Sequence, residues 1–294
     1  MKHHQVNGKN AIKIFKFILP TKNKGTSFID IPNSWIQALT FIPNTQRLSQ
    51  NESGPCGLFA VLQAYIIAAI KFNPKYTPQQ ALQSAVLEIM LKLRQSFVFC
   101  TDFGLETGEN MESSHCYIEL EMTDNKQEAE YFLESNNYFS IENVTILLMI
   151  SFAFLSGPKL LSSFAIPETF ITHDGMTDVH FVYLILTGKA IDVPCDECKN
   201  LGGILFSGVK EKQQIGFLSV SEEISEPIGD NFLYPDYETW VLHYGGHFTA
   251  VTRQENKFYE YDAYNHSEDN VKVLNKLHVM WSKLTKIANY IDRH

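Results

Sequence analysis

The sequence predicts an α+β fold, and three observations carry that prediction. Two long apolar runs, Leu58 to Ile70 and Val144 to Leu155, read as buried helices in the first part of the chain. The C-terminal third alternates instead. Thr239 to Thr252 and Lys257 to Asp262 are rich in Trp, Val, Phe, Thr and Tyr, the residues of half-buried strands. Helices first and strands later give segregated layers rather than alternating βαβ units.

Taken in order, residues 1–50 are mixed and end in SWIQALTFIPNTQRLSQ, a short helix or strand leading into a loop. Leu58 to Ile70 is apolar on nearly every face, so it is a central helix, and it stops near Asn73-Pro74. Thr77-Pro78 opens a second helix, from Gln79 to about Phe97, with Pro78 in its first turn. Residues 101–140 are polar and irregular, with a strand and then an exposed helix between Glu119 and Glu134. Val144 to Leu155 is closed by Ser156-Gly157-Pro158, and the apolar segment from His180 by Thr187-Gly188. Arg253 to Asn256 reads as a turn between strands, and Val273 to Tyr290 as a helical tail.

The 294 residues and ample apolar content suit one domain, and no low-complexity stretch or internal repeat divides it. A net charge of -9 argues against a nucleic-acid binder, which carries a basic face. No apolar run reaches the roughly 20 residues of a membrane span, and MKHHQVNGKNAIKIFKFILP lacks the pattern of a secretion signal. The five cysteines, Cys56, Cys100, Cys116, Cys195 and Cys198, form no spaced framework. They suit a reducing compartment, the cytoplasm or nucleus. No Gly-rich phosphate loop is present, and no cofactor is expected. Cys195-x-x-Cys198 lacks the second ligand pair that zinc sites use, so no metal is expected either. Glu222-Glu223 and Glu226 read as a solvated acidic face, and Tyr259, Tyr261 and Tyr264 as strand packing.

Chemistry enters at QNESGPCGLFAVLQA, Gln50 to Ala64. Cys56 stands between a Gly-Pro turn and the central helix. It can be an inert core residue or a nucleophile. Unpaired N–H groups at a helix N-terminus favour a thiolate. Gly54 and Gly57 allow close approach of other groups, and Pro55 fixes the turn. A nucleophile also needs a base.

HYGGHFTAVTRQENKFYEYDAYN supplies one. With the turn centred between Gln254 and Glu255, Thr252 pairs with Lys257 and His247 with Asp262. Cross-strand partners have Cβ atoms about 4.5–5.5 Å apart, so the carboxylate can orient the imidazole as in a catalytic triad. Gly245-Gly246 leaves room beside the ring for a substrate backbone. His243 falls outside the paired region and ranks second.

A nucleophile on an early helix, with its His and Asp on a later hairpin, is the arrangement of papain-like cysteine peptidases. Here the segment QNESGPCGLFAVLQA closely resembles the active-site segment of the MINDY deubiquitinases, a Gln shortly before Gly-Pro-Cys and an apolar helix. Three further stretches resemble that family in order: LILTGKAIDVP, VKEKQQIGFLS, and GGHFTAV followed by FYEYDAYN. Trp35 with Leu39-Thr40-Phe41 matches the start of the region. The resemblance spans about residues 35–268, which makes residues 1–34 an N-terminal extension and 269–294 a tail to a single catalytic domain. Ser53 departs from the family's Gly, and Gly246 from its small polar residue before the His.

The resemblance implies a papain-like fold and a thiol isopeptidase that cuts between ubiquitin's C-terminal glycine and a lysine. It implies Cys56 as nucleophile, His247 as general base and Gln50 as oxyanion donor, with Asp262 at the family's strand aspartate. It also implies ubiquitin and polyubiquitin chains as partners, trimmed at the lysine linkage that marks proteins for proteasomal degradation. Two other readings stay open: a catalytically silent ubiquitin-binding relative, and a papain-like protease of a ubiquitin-like modifier.

Overall fold

A computed structural model describes residues 1–22, 27–106, 115–161, 163, 169–201, 203–219, 228–255, 257–264 and 271–273. β1 (Lys2–Asn7) leads into α1 (Lys9–Ile18). Two short ladders follow, β2 (Thr21–Lys22) with β3 (Ser27–Phe28) and β4 (Thr40–Phe41) with β5 (Leu48–Ser49). A single 3-10 turn at Asn33–Trp35 lies between them. Next come α2 (Cys56–Phe72), α3 (Pro78–Leu93), β6 (Phe97–Glu106), β7 (His115–Thr123), α4 (Lys126–Ser135), α5 (Val144–Leu161) and α6 (Val179–Thr187). β8 (Lys199–Leu201) pairs with β9 (Ile204–Phe206). The chain then runs through β10 (Gly216–Ser219), α7 (Asp230–Leu233), β11 (Thr239–Tyr244), β12 (His247–Gln254), β13 (Lys257–Tyr261) and β14 (Val271–Val273). The fold is mixed α+β.

α2 has no polar stripe to turn toward water, so it occupies the centre. Every residue from Cys56 to Ala68 is buried. It packs on β11 and β12 on one side and on α3 and α6 on others. Its buried amide, Gln63, is satisfied by the chain leading to Cys56. Gln63 Oε1 accepts from Leu48 N at 2.7 Å, and Nε2 donates to Gln46 O at 3.0 Å.

α3 begins as expected at Pro78, where Thr77 and Gln80 form a reciprocal capping box. It ends at Leu93, short of the expected Phe97, because Arg94 turns extended (φ -162°, ψ 149°). The buried run from Phe97 to Cys100 opens β6. A short, wholly buried apolar run carries no period that separates strand from helix. α5 departs from helical geometry at Gly157 (φ 71°, ψ 155°), at the Ser-Gly-Pro stop.

The principal sheet has the order β10-β11-β12-β13-β14, with β10 parallel to β11 and the other pairs antiparallel. Both its faces are buried. Val241, Phe248 and Ala250 join the main core, while Trp240, Leu242, Val251 and Phe258 form a second, smaller one. The run Thr239 to Thr252, read as one strand-like stretch, is two strands. Gly245 (φ 55°) and Gly246 (φ 79°) form the two-residue turn between them, a conformation in which glycine avoids the Cβ penalty.

A second antiparallel sheet, β1-β7-β6, comes from stretches that the sequence leaves mixed or irregular. β1 is exposed along most of its length, so it has no apolar alternation to read. Within the expected N-terminal extension, α1 buries Ala11, Ile12, Ile14, Phe15 and Ile18 in the main core. The tail expected as helix lies outside the described residues except for Val271–Val273, which pair with β13 as a strand. Glu222, Glu223 and Glu226 also lie outside them. Among the described residues, no helix is long and apolar enough to cross a membrane.

Candidate active site

The turn before α2 is built for close approach. Gly54 has φ 134°, and a Cβ there would lie 2.5 Å from Ser34 Oγ. A Cβ on Gly57 would lie 2.5 Å from Thr177 Cγ2 and 2.7 Å from Val182 Cγ2. Thr177 exploits the gap: its Oγ1 donates to Gly54 O at 2.7 Å and accepts from Gly57 N at 3.3 Å. Its own N–H also donates to Gly54 O, at 2.8 Å. Trp35 Nε1 holds the opposing loop by donating to Gly175 O at 2.8 Å. Cys56 begins α2 in this clasp and is 2 % exposed.

His247 opens β12. Its Nε2 lies 3.0 Å from Asp262 Oδ1, with both side chains about a quarter exposed (27 % and 26 %). Cys56 also acts on the ring and helps to raise its pKa, while its thiol donates to Gly54 O at 3.9 Å. With Nε2 on the carboxylate, Nδ1 is the nitrogen left for sulfur. The sequence-predicted base and acid are therefore paired, and the predicted nucleophile lies near enough to act on the same ring. Burial alone would push the imidazole down. The hydrogen bond to Asp262 and the nearby Cys56 sulfur, with the charges of both, outweigh it and push His247 from 6.5 up to about 10. The ring is then an imidazolium at neutral pH.

The pairing register differs from the one expected. Gln254 pairs with Lys257 and Thr252 with Tyr259, so the β12–β13 ladder is slipped by two residues. A two-residue slip keeps every side chain on its face. His247 and Asp262 still share a face, and they touch diagonally instead of directly.

Gln50 is 1 % exposed and reaches the site through the backbone, its N–H donating to Ala263 O at 2.9 Å beside Asp262. Its Nε2 donates to Glu52 O at 2.6 Å, and its buried Oε1 has no partner. The side-chain amide is thus engaged with its own loop. His243, ranked second from sequence, does pair, with Phe248. It is buried on the opposite face from His247, stacked on Phe248 (centroids 4.4 Å, planes 19° apart). Cys195 donates to Glu197 O at 3.4 Å, and Cys198 is exposed. Among the described residues, no cluster of three His, Cys, Asp or Glu side chains could hold a metal ion.

Several supporting residues escaped the sequence reading. Arg47, 2 % exposed, donates from Nη2 to Asp262 O at 3.1 Å. Tyr244 stands directly opposite His247. Glu260 is a buried carboxylate one strand away. Thr177 and Arg47 act from loops and short strands with no periodicity, so no local pattern marks them. Gly245-Gly246, read as a two-residue hairpin turn, would have placed Tyr244 opposite His247.

The family described as "Deubiquitinating enzyme MINDY-3/4, conserved domain" matches residues 25–269. The "Ubiquitin carboxyl-terminal hydrolase MINDY-3 homolog" of Drosophila melanogaster is 27% identical over 134 residues, 44% of this chain and 24% of the relative. The "Probable ubiquitin carboxyl-terminal hydrolase MINDY-4" of Homo sapiens is 25% identical over 271 residues, 77% of this chain and 34% of the relative. Its Bos taurus counterpart is 24% identical over 273 residues, 79% of this chain and 35% of the relative. The chain thus spans about a third or less of the length of these curated relatives. No solved structure matches it. The family match covers most of the chain and contains Gln50, Cys56, His247 and Asp262, so the chain belongs to the MINDY-3/4 family of deubiquitinating enzymes.

Proposed function

We propose that this chain is a thiol isopeptidase that releases ubiquitin from lysine. The observation that carries the reading is the His247–Asp262 pair at 3.0 Å, with Cys56 at the N-terminus of a buried helix acting on the same imidazole. Membership of a deubiquitinating family and relatives named ubiquitin carboxyl-terminal hydrolases support ubiquitin as the leaving acyl group. A nucleophile on a helix, with its His and Asp on a later sheet, supports a papain-like arrangement.

The chemistry follows from the contacts. Cys56, as thiolate, attacks the carbonyl carbon of ubiquitin's C-terminal glycine, and the carbonyl oxygen takes the negative charge. Gly57 N–H is already engaged by Thr177, so the Cys56 N–H is the helix-terminal donor for that oxygen. The Gln50 amide supplies a second donor. One of its two N–H bonds goes to Glu52 O, which leaves the other. The His247 imidazolium protonates the departing lysine amine as the C–N bond breaks. The neutral ring then takes a proton from water, and hydroxide displaces the thiolate from the thioester. Asp262 keeps the ring oriented throughout.

By family likeness, we place the preference at the lysine linkage that marks proteins for degradation, trimmed from the chain end. The five free thiols suit a reducing compartment, cytoplasm or nucleus. Incubation with di-ubiquitins of each lysine linkage tests the reading. Cleavage of the proteasome-targeting linkage first, lost with Cys56→Ala, is expected. No cleavage of any linkage by the folded chain would replace it with a silent ubiquitin-binding relative.

A further inference from the structure

Tyr244 is the last residue of β11 and pairs with His247 across the Gly245–Gly246 turn. The two rings meet edge to face, with centroids 5.4 Å apart and planes at 86°. The Glu260 carboxylate lies near enough for its charge to act on the phenol. Glu260 is 8 % exposed and also accepts from Thr249 Oγ1 at 2.9 Å. A buried carboxylate is costly unless donors satisfy it, and the Thr249 hydroxyl on the neighbouring strand does so here. By strand alternation, Tyr244, His247, Thr249 and Glu260 share one face of the sheet.

This arrangement answers a mechanical need. Asp262 holds only the Nε2 end of the imidazole. A ring fixed at one end can swing its Nδ1 away from sulfur. The Tyr244 ring stands against it, held opposite by the strand pairing across the turn. We propose that Tyr244 is a positioning residue for the Cys56–His247 pair, its ring packed edge to face against the imidazole. The inference rests on the reading of Cys56 and His247 given above. Burial, with the negative charges of Glu260, Asp262 and Cys56, raises the phenol's pKa. The phenol therefore remains neutral over the pH range in which the pair would work.

The test is the pH profile of Cys56 alkylation by iodoacetamide in the full chain, read by peptide mass spectrometry so that Cys198 does not interfere. In the wild type, Cys56 should react at neutral pH in a His247-dependent manner. Tyr244→Ala should lower that neutral-pH rate by up to about a hundredfold, as a misplaced partner does, and move the profile toward that of an ordinary thiol. In turnover it should lower kcat with little change in KM. Tyr244→Phe keeps the ring and should stay near wild type, whereas Tyr244→Leu keeps bulk without the aromatic edge, should give an intermediate loss and carries the test if Tyr244→Ala fails to fold. A wild-type profile in folded Tyr244→Ala or Tyr244→Leu would overturn the role of Tyr244. A wild-type profile left unchanged by His247→Ala would instead overturn the pair itself, and the proposal with it.

Discussion

His247 and Asp262 touch along a diagonal of the β12–β13 ladder, Nε2 to Oδ1 at 3.0 Å, and not as directly opposed residues. Thr249 and Glu260 make the same diagonal step at 2.9 Å. One offset, used twice on one face, places a carboxylate under His247 and a second under Tyr244. Long side chains bridge such diagonals at the cost of needing a fixed register.

The acid is expected to matter less than the base. His247→Ala should lower turnover of a ubiquitin substrate by about 10²–10⁴-fold, the range of general acid–base catalysis, and leave the fold intact by circular dichroism. Asp262→Ala should cost less, since it removes only orientation and charge. Asp262→Asn should lie between wild type and Ala, because its amide oxygen can still accept from Tyr264 N, a bond of 3.0 Å here, and from His247. Loss of all turnover in Asp262→Asn, equal to that in His247→Ala, would contradict this ranking.

The His247 pair also makes a pH-dependent contribution to stability. The folded pKa, about 10, lies above the ordinary 6.5. The contribution is therefore complete below the unfolded value and is lost as pH rises through about 10. The Tm difference between wild type and His247→Gln should be largest in mildly acidic buffer and should shrink steadily into the alkaline range. A difference that grows with pH would show the opposite sign of linkage.

Thr177 is expected to hold the nucleophile loop. Thr177→Val keeps the shape but strips Gly57 N and Gly54 O of the hydroxyl that now bridges them. Gly54 O keeps the Thr177 N–H, but leaving the buried Gly57 N–H unpaired should cost about 1–3 kcal/mol, read as a lower urea midpoint. Turnover should also fall, whereas a surface Thr→Val change far from the loop should do neither.

The Gly245–Gly246 turn sets where β12 begins. Gly246→Val forces a β-branched residue to φ 79° and should destabilise by about 1–3 kcal/mol. Because His247 is the next residue, kcat should fall further than that destabilisation alone requires at a temperature where the chain stays folded. Wild-type kcat in the folded variant would show that the turn does not place the imidazole.

Much of this was legible in the sequence for identifiable reasons. α2 was clear because apolar residues on every face leave a helix only the centre. The place of Cys56 at the start of α2 was clear because Gly-Pro precedes it, whereas that stretch alone left its role open between an inert core thiol and a nucleophile. His247 and Asp262 were placed on one face even with the wrong register, since a slip of two preserves parity. The second sheet was not legible, because β1 is a polar edge strand and the buried start of β6 looks like a helix end. Nor were Thr177 and Arg47, whose contacts join segments far apart in the chain. Tyr244 was hidden by reading Gly245-Gly246 as space for substrate and not as a turn.

The central claim is that Cys56 is a nucleophile directed at the C-terminus of ubiquitin. The most direct measurement is covalent labelling by ubiquitin bearing a C-terminal electrophile, with wild type, Cys56→Ala and His247→Ala side by side. An adduct on Cys56, absent in Cys56→Ala and strongly slowed in His247→Ala, is the predicted result. A folded wild-type chain that forms no adduct, or one that labels equally without Cys56, would contradict it.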